Sequence, residues 1–326
     1  MKKTTNDKKI IKNVSKIILF SILFLIVFSL SFFTYVYYTA PEFNSNLLYK
    51  KESSNIYDSK GDLITTIGSE KRQIVSYEEL PQVLIDSIIA TEDSRFFMHN
   101  GLDIPRFLKA SVSYVVGNNI GGASTLTMQI SKNTYTSFDA DGFTGIVRKF
   151  TDIYMSIFKI EKDYTKKEII EFYVNNHFLG GMIYGVEEAS QAYFGKSASE
   201  LNLSEAAIIA GMFRSPNYYR PNVNPKNATA RRSTVLYLMK KHGYITKEEQ
   251  DLANSIPMES LTAEAKAEEI PYQGYIDTVV SEVKDKYGVN PYTTSLKIYT
   301  NLDRGKQEAV EKVQNGVTYT WKDDQI

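Results

Sequence analysis

Cysteine is absent from the 326 residues, which excludes disulfides, thiol nucleophiles and cysteine-ligated zinc. Histidine is almost as scarce. His99, His177 and His242 are the only three, and their spacing fits no ligand pattern, so a protein-built metal centre is not expected. Proline (9) and tryptophan (1) are few. Net charge is missing as well: 38 Lys and Arg stand against 38 Asp and Glu. A chain so balanced lacks the basic face that nucleic-acid binders carry, and no nucleic-acid partner is expected.

Apolar and aromatic residues are plentiful. The chain is 43% hydrophobic and holds 23 Tyr and 17 Phe, enough to build a packed core. Charge is unevenly placed: residues 1–38 carry six lysines and one aspartate, the remainder 32 basic and 37 acidic groups. Ile17 to Tyr38 is uncharged. As a helix its 22 residues would reach about 33 Å, against a bilayer core of roughly 30 Å. Tyr35, Tyr37 and Tyr38 suit the interface at its far end. Lys2, Lys3, Lys8, Lys9, Lys12 and Lys16 precede it, which places the N-terminus in the cytoplasm and the rest outside. A cleaved signal peptide has a shorter apolar core and a small-residue cleavage site, for which Thr39-Ala40 is a weak match. The expectation is a single-pass protein of the cell membrane: tail 1–16, anchor 17–38, connector 39–55.

Asn55 to Gly68 reads as a hairpin around Ser59-Lys60-Gly61-Asp62. From Pro81 the period becomes helical, with Val83, Leu84, Ser87, Ile88 and Thr91 on one face. Further helices are predicted over 104–116, 124–132, 145–160 and 224–241. Thr165 with Glu168 forms a capping-box pattern opening another. Leu203 to Gly211 reads as a helix ending on its glycine. Ser255 to Ile270 reads as a polar linker, and Ser295 to Thr300 as a strand before a short helix from Asp303. The fold class is mainly α with small β elements, a globular domain over 56–250, and a linker over 251–326.

Glu92 closes the Pro81 helix beside Asp93. A negative helix pole and a second acid would raise its pKa, as a general base near neutral pH requires. Thirty residues on, Gly122-Ala123-Ser124-Thr125-Leu126-Thr127-Met128-Gln129 places hydroxyls and N–H groups at a helix start, a setting suited to phosphate oxygens. Arg148 and Asp152 share a helix face at i, i+4.

In order, Glu92-Asp93 with Phe96, His99, Gly101 and Asp103, then Gly122–Gln129, Arg148-Lys149, Lys167–Asn175 and Leu203–Gly211 resemble the five motifs of the peptidoglycan glycosyltransferases. This is glycosyltransferase family 51, found in the N-terminal half of class A penicillin-binding proteins. The resemblance covers about 56–245 and implies a lysozyme-like helical head. It also implies a membrane-proximal jaw carrying Phe107, Leu108, Val112, Tyr114, Val115, Val116, Tyr135, Phe138, Phe143 and Ile146. It implies polymerisation of the lipid-linked disaccharide-peptide lipid II into glycan strands, with inversion and release of lipid pyrophosphate. Glu92 is then the base and Asp152 the second catalytic acid. Ser124, Thr125, Thr127, Gln129, Lys132, Arg148, Lys149, Asn175 and Arg231 bind substrate or frame its site. No cofactor is required, although a loosely held magnesium or manganese ion at the pyrophosphate is compatible. The implied partners are lipid II, the nascent strand, the bilayer, and other wall-synthesis or division proteins.

Three positions depart from the family pattern. Met128 replaces a glutamine, Thr144 a basic residue, and Asp152 a glutamate one methylene longer. The segment from Gly288 resembles the linker to a transpeptidase, so 251–326 is expected to hold that linker and a remnant of the transpeptidase domain's start. No Lys-Thr-Gly follows, however, and Ser156-Ile157-Phe158-Lys159 lies inside the third motif's helix. Transpeptidation is therefore not expected. The alternatives are a truncated relic acting as a scaffold and a lytic muramidase.

Overall fold

The computed structural model describes residues 5–49, 53–68, 74–117, 122–136, 140–181, 183–263, 271–292 and 294–314. Helix α1, Thr5–Thr39, contains the predicted anchor. Its stretch Lys12–Thr39 is long and apolar enough to cross a membrane. The lysine-rich start joins the same helix, so the helix is longer than the apolar run alone predicts.

The head is built on α2 (Gln82–Glu92), α3 (Ile104–Val115), α4 (Leu126–Thr134), α5 (Gly142–Met155), α6 (Lys166–Asn176), α7 (Val186–Phe194), α8 (Leu203–Met212) and α9 (Pro225–Lys241). At the centre is α8, whose residues Ser204 to Met212 are all buried. Its Leu-Ser-Glu-Ala-Ala-Ile-Ile-Ala run has no polar stripe, because α2 packs on one side and α9 on another. Asn202 caps it by accepting from the N–H groups of Ser204 and Glu205. The helix does not stop at Gly211, as the sequence predicts, but continues to Met212. Gly211 is there for clearance instead: a Cβ would meet Cγ of Arg231 at 2.8 Å.

Around this centre, α2 contributes Leu84, Ile85, Ile88 and Ile89 to the main core, wider than the one face its periodicity marks. Thr165 and Glu168 form the predicted capping box on α6. Beyond α5 the chain passes through a π-helical turn, Ser156–Ile160. Gly101 (φ +80°) lies against that turn, and a Cβ there would come within 2.9 Å of the Ser156 carbonyl carbon.

The hairpin is strands β1 (Ser53–Tyr57) and β2 (Leu63–Gly68), antiparallel. A third strand, β3 (Lys297–Tyr299), pairs parallel with β1, giving the order β2-β1-β3. After α9 come α10 (Lys247–Ser255), α11 (Gln273–Tyr287) and α12 (Arg304–Gln314). The 251–326 segment, expected as a linker, is packed on the rest in its described parts. Ile276, Val279, Val280 and Tyr292 share a second core with Ile56, Ile67 and Tyr184.

The jaw keeps part of its predicted apolar surface. Ile104, Leu108 and Val112 recur at every fourth residue of α3 and are 59%, 57% and 63% exposed. Phe143 and Ile146 of α5 are exposed as well. Phe107 instead meets Phe150 edge-on, and Phe32 of α1 packs edge-on against Phe143 and Phe150. Tyr135 turns inward, donating to the Asn44 carbonyl at 2.9 Å. Phe138 and the side chains of Tyr114 and Val115 lie outside the described residues.

Candidate active site

Glu92 stands at the C-terminal end of α2, with its side chain 15% exposed. Its Oε2 accepts from Nε2 of Gln129 at 3.2 Å, and Nη2 of Arg231 lies 3.9 Å from Oε1. Burial raises its pKa above the ordinary 4.5. The Gln129 hydrogen bond and the cations of Arg231, Arg106 and Arg214 offset part of that rise. The direction is the one expected, but the dominant cause is desolvation.

Asp93 plays a different part from the paired acid the sequence suggests. It is fully buried, accepts from the Leu126 N–H at 3.1 Å, and meets Nε2 of His99 at 3.1 Å. It therefore ties the end of α2 to the start of α4. His99, Asp93 and Asp103 bring ligand atoms within 4.8 Å of one another, a grouping that spacing alone did not reveal. Its carboxylates are already served. Arg95 lies 3.4 Å from Asp103, Arg106 lies 4.0 Å from Asp93, and the Arg106 N–H donates to Asp103. A cation placed there would face two guanidinium groups, so the cluster reads as an internal ion-pair network.

Two residues that sequence reasoning missed hold the site together. Arg106 donates to the Glu92 carbonyl and to the Gly122 carbonyl, both at 3.0 Å, clamping the first motif to the second. Its place in the first turn after Asp103 was the available signal. Tyr173, fully inside the core, donates to Oε1 of Gln129 at 3.2 Å, so Gln129 bridges Tyr173 and Glu92.

The predicted substrate residues separate into two groups. Thr125 caps α4, accepts from the Met128 N–H and donates to the Gly101 carbonyl. Thr127 donates to Glu161 at 2.6 Å. Both are completely buried, so they shape the loop and do not reach the cleft. Asn175 holds the Val75 backbone through both N–H and carbonyl, which makes it an anchor. Gln129 is engaged by Glu92. Ser124 and Lys149 pair at 2.7 Å. Lys132 and Arg148 line an open cleft of about 590 Å³. Arg231 donates from Nε to the Gly211 carbonyl, which aims its remaining nitrogens at Glu92.

Asp152, expected as the second catalytic acid, is a buried carboxylate. It is 3% exposed, and its Oδ1 accepts from Thr136 at 2.6 Å and Ser131 at 3.1 Å. Burial pushes its pKa up to about 6, against the pull of those hydroxyls and of Lys149 and Arg148. One methylene short, the carboxylate ends among hydroxyls of α4 and its exit instead of reaching the cleft. It interacts electrostatically with Lys149.

The head thus combines a buried carboxylate at a helix end, a cleft lined by Lys132 and Arg148, and an exposed apolar row on α3. The transglycosylase family profile matches residues 60–240, and the chain belongs to that family, the peptidoglycan glycosyltransferases. Penicillin-binding protein 1A of Streptococcus oralis is 34% identical over 98% of this chain and 51% of its own length. Penicillin-binding protein 1A/1B of Bacillus subtilis is 36% identical over 86% of this chain and 31% of its own length. The crystal structure of penicillin-binding protein 1A from Haemophilus influenzae aligns over 81% of this chain and 29% of its own, at 26% identity and a TM-score of 0.39. The chain spans about half the length, or less, of these relatives.

Proposed function

We propose that this chain polymerises lipid II into glycan strands by inverting glycosyl transfer. Glu92 takes the proton of the acceptor sugar's 4-hydroxyl. The freed oxygen attacks the donor's anomeric carbon from the face opposite the lipid diphosphate. As the new C–O bond forms, the bond to diphosphate breaks and its electron pair leaves with the phosphate. Lys132, Arg148 and Lys149 lie where that charge develops, and fixed cations in a partly desolvated cleft stabilise it strongly. Arg231 holds the Glu92 carboxylate and supports the same end of the site. Asp152 acts through Lys149, as a positioning residue. The observation that carries the reading is Glu92 itself: a carboxylate raised by burial yet held by a glutamine and a guanidinium.

No cofactor enters this scheme. A divalent ion at the pyrophosphate is an accessory, and stripping it with a chelator should lower the rate by less than about threefold, since the fixed cations carry the charge term. Helix α1 is read as the anchor, lysine end in the cytoplasm, with the head outside among the enzymes of wall synthesis and division. The discriminating experiment supplies the protein separately with lipid II and with polymeric wall. Polymer from lipid II is expected. Soluble muropeptides from wall without any polymer would point to a lytic enzyme, and inertness towards both to a scaffold.

A further inference from the structure

Helix α11 lies beyond the stretch that matches the transglycosylase family, yet it forms a wall of the cleft. The floor holds Lys132 and Arg148, and the facing wall is Asp277, Ser281 and Lys284. The loop after α11 adds Asn290 and Tyr292.

The two sides differ in chemistry. The floor is cationic, as a diphosphate requires. The wall offers a carboxylate, a hydroxyl and an amide, with a single ammonium, Lys284, over the Tyr292 ring at 5.5 Å. Beside them is an aromatic surface, in which Tyr184 lies 5.3 Å from Phe178 and 5.3 Å from Tyr292. Short polar groups that donate and accept, next to ring faces, suit sugar hydroxyls and acetamido groups. Asn217, which accepts from the Gly181 N–H, continues this polar lining on the head side.

The wall is also held in place. Val279, Val280 and Ile276 anchor α11 in the second core, and Ser54 of β1 donates to the Pro291 and Thr294 carbonyls at 2.6 Å. Asp277 and Ser281 remain exposed one turn apart on its open face.

We propose that α11, with Asn290 and Tyr292 after it, forms a carbohydrate subsite that grips the glycan strand opposite the diphosphate-binding floor. This rests on the polymerase reading for the identity of the strand, but the recognition it describes is of sugar alone.

The test uses the full chain in detergent and, as a soluble stand-in, the β-1,4 tetramer of N-acetylglucosamine, with binding followed by calorimetry. Ser281→Trp fills the cleft from an exposed position, and Asp277→Ala removes the carboxylate. Asp285→Trp, an exposed site on α11 outside the cleft lining, controls for insertion of a bulky ring. The proposal expects the wild type and Asp285→Trp to bind alike, Asp277→Ala to bind a few-fold more weakly, and Ser281→Trp to lose at least about tenfold in affinity, roughly 1.4 kcal/mol. With lipid II, Ser281→Trp should give shorter strands than Asp285→Trp. Equal affinities for wild type and Ser281→Trp, or no binding by the wild type at millimolar tetramer, would overturn it. Sugar binding blocked by Ser281→Trp in a protein that makes no polymer would instead leave the subsite standing and sink the polymerase reading.

Discussion

Glu92 works through the groups that hold it. Gln129 donates to its carboxylate and lowers a pKa that burial has raised. Replacing Gln129 by Leu removes that pull, so the acid limb of the kcat/KM profile should move to higher pH, while Tyr173→Phe, one step further back, should move it less. An unchanged limb in Gln129→Leu would show that the glutamine only fills space. Asp152 gives a second test, of stability. Its folded pKa of about 6 lies above the ordinary 3.8, so the folded state holds the proton more tightly and loses stability as pH rises through that window. Asp152→Asn keeps an oxygen acceptor for Thr136 and Ser131 and removes the charge. It should unfold at higher urea than the wild type at pH 7.5, by about 1–3 kcal/mol, with no gain at pH 4. Polymerisation should stay within a few-fold of wild type, because this carboxylate does not open on the cleft. Asp152→Glu would force a methylene into a sealed site and should destabilise by about 1–3 kcal/mol.

Between elements, the site depends on one buried junction. Asp93 joins the end of α2 to the start of α4, and Gly211 lets Arg231 of α9 cross α8. Asp93→Asn weakens a hydrogen bond to a charged acceptor and the His99 contact, and should lower unfolding stability by about 1.5–3 kcal/mol. Gly211→Ala places a methyl against the Arg231 stem and should reduce kcat more than it reduces stability, read as rate against urea midpoint. The helices themselves were legible in sequence, because a 3.6-residue period and capping residues are local signals. Thr165 with Glu168 is the clearest case. Of the expected site residues, Glu92 and Arg231 meet each other, and Lys132 and Arg148 line one cleft. The inward turn of Thr125 and Thr127 was not legible, since a hydroxyl looks the same in sequence whether it faces a ligand or a backbone carbonyl. Nor was the role of Gly211, which is a matter of distance to another helix. Helix α11 went unread because its apolar face, Ile276, Val279 and Val280, answers to a hairpin over two hundred residues earlier.

At the scale of the whole molecule, anchor and head form a continuous surface. Phe32 and Phe33 of α1 pack against Phe150 of α5, and the connector is fixed to the head where Asn176 donates to the Leu48 carbonyl. The exposed row Ile104, Leu108 and Val112 then extends the apolar surface of the molecule, as a jaw that lies in a lipid interface would. Leu108→Glu combined with Val112→Glu should cut polymerisation of lipid II in liposomes by about tenfold or more, and leave the rate in detergent within about threefold, since the change acts on bilayer contact. The central claim is that Glu92 is the base. Glu92→Gln preserves size and the Gln129 and Arg231 surroundings while removing the ability to take a proton. Polymer formation from lipid II, measured beside the urea midpoint of the same preparation, tests it directly. The account predicts loss of at least about a hundredfold in rate, the lower range of general-base contributions, with an unfolding midpoint at or above that of the wild type. Polymerisation by Glu92→Gln at near wild-type rate would contradict it.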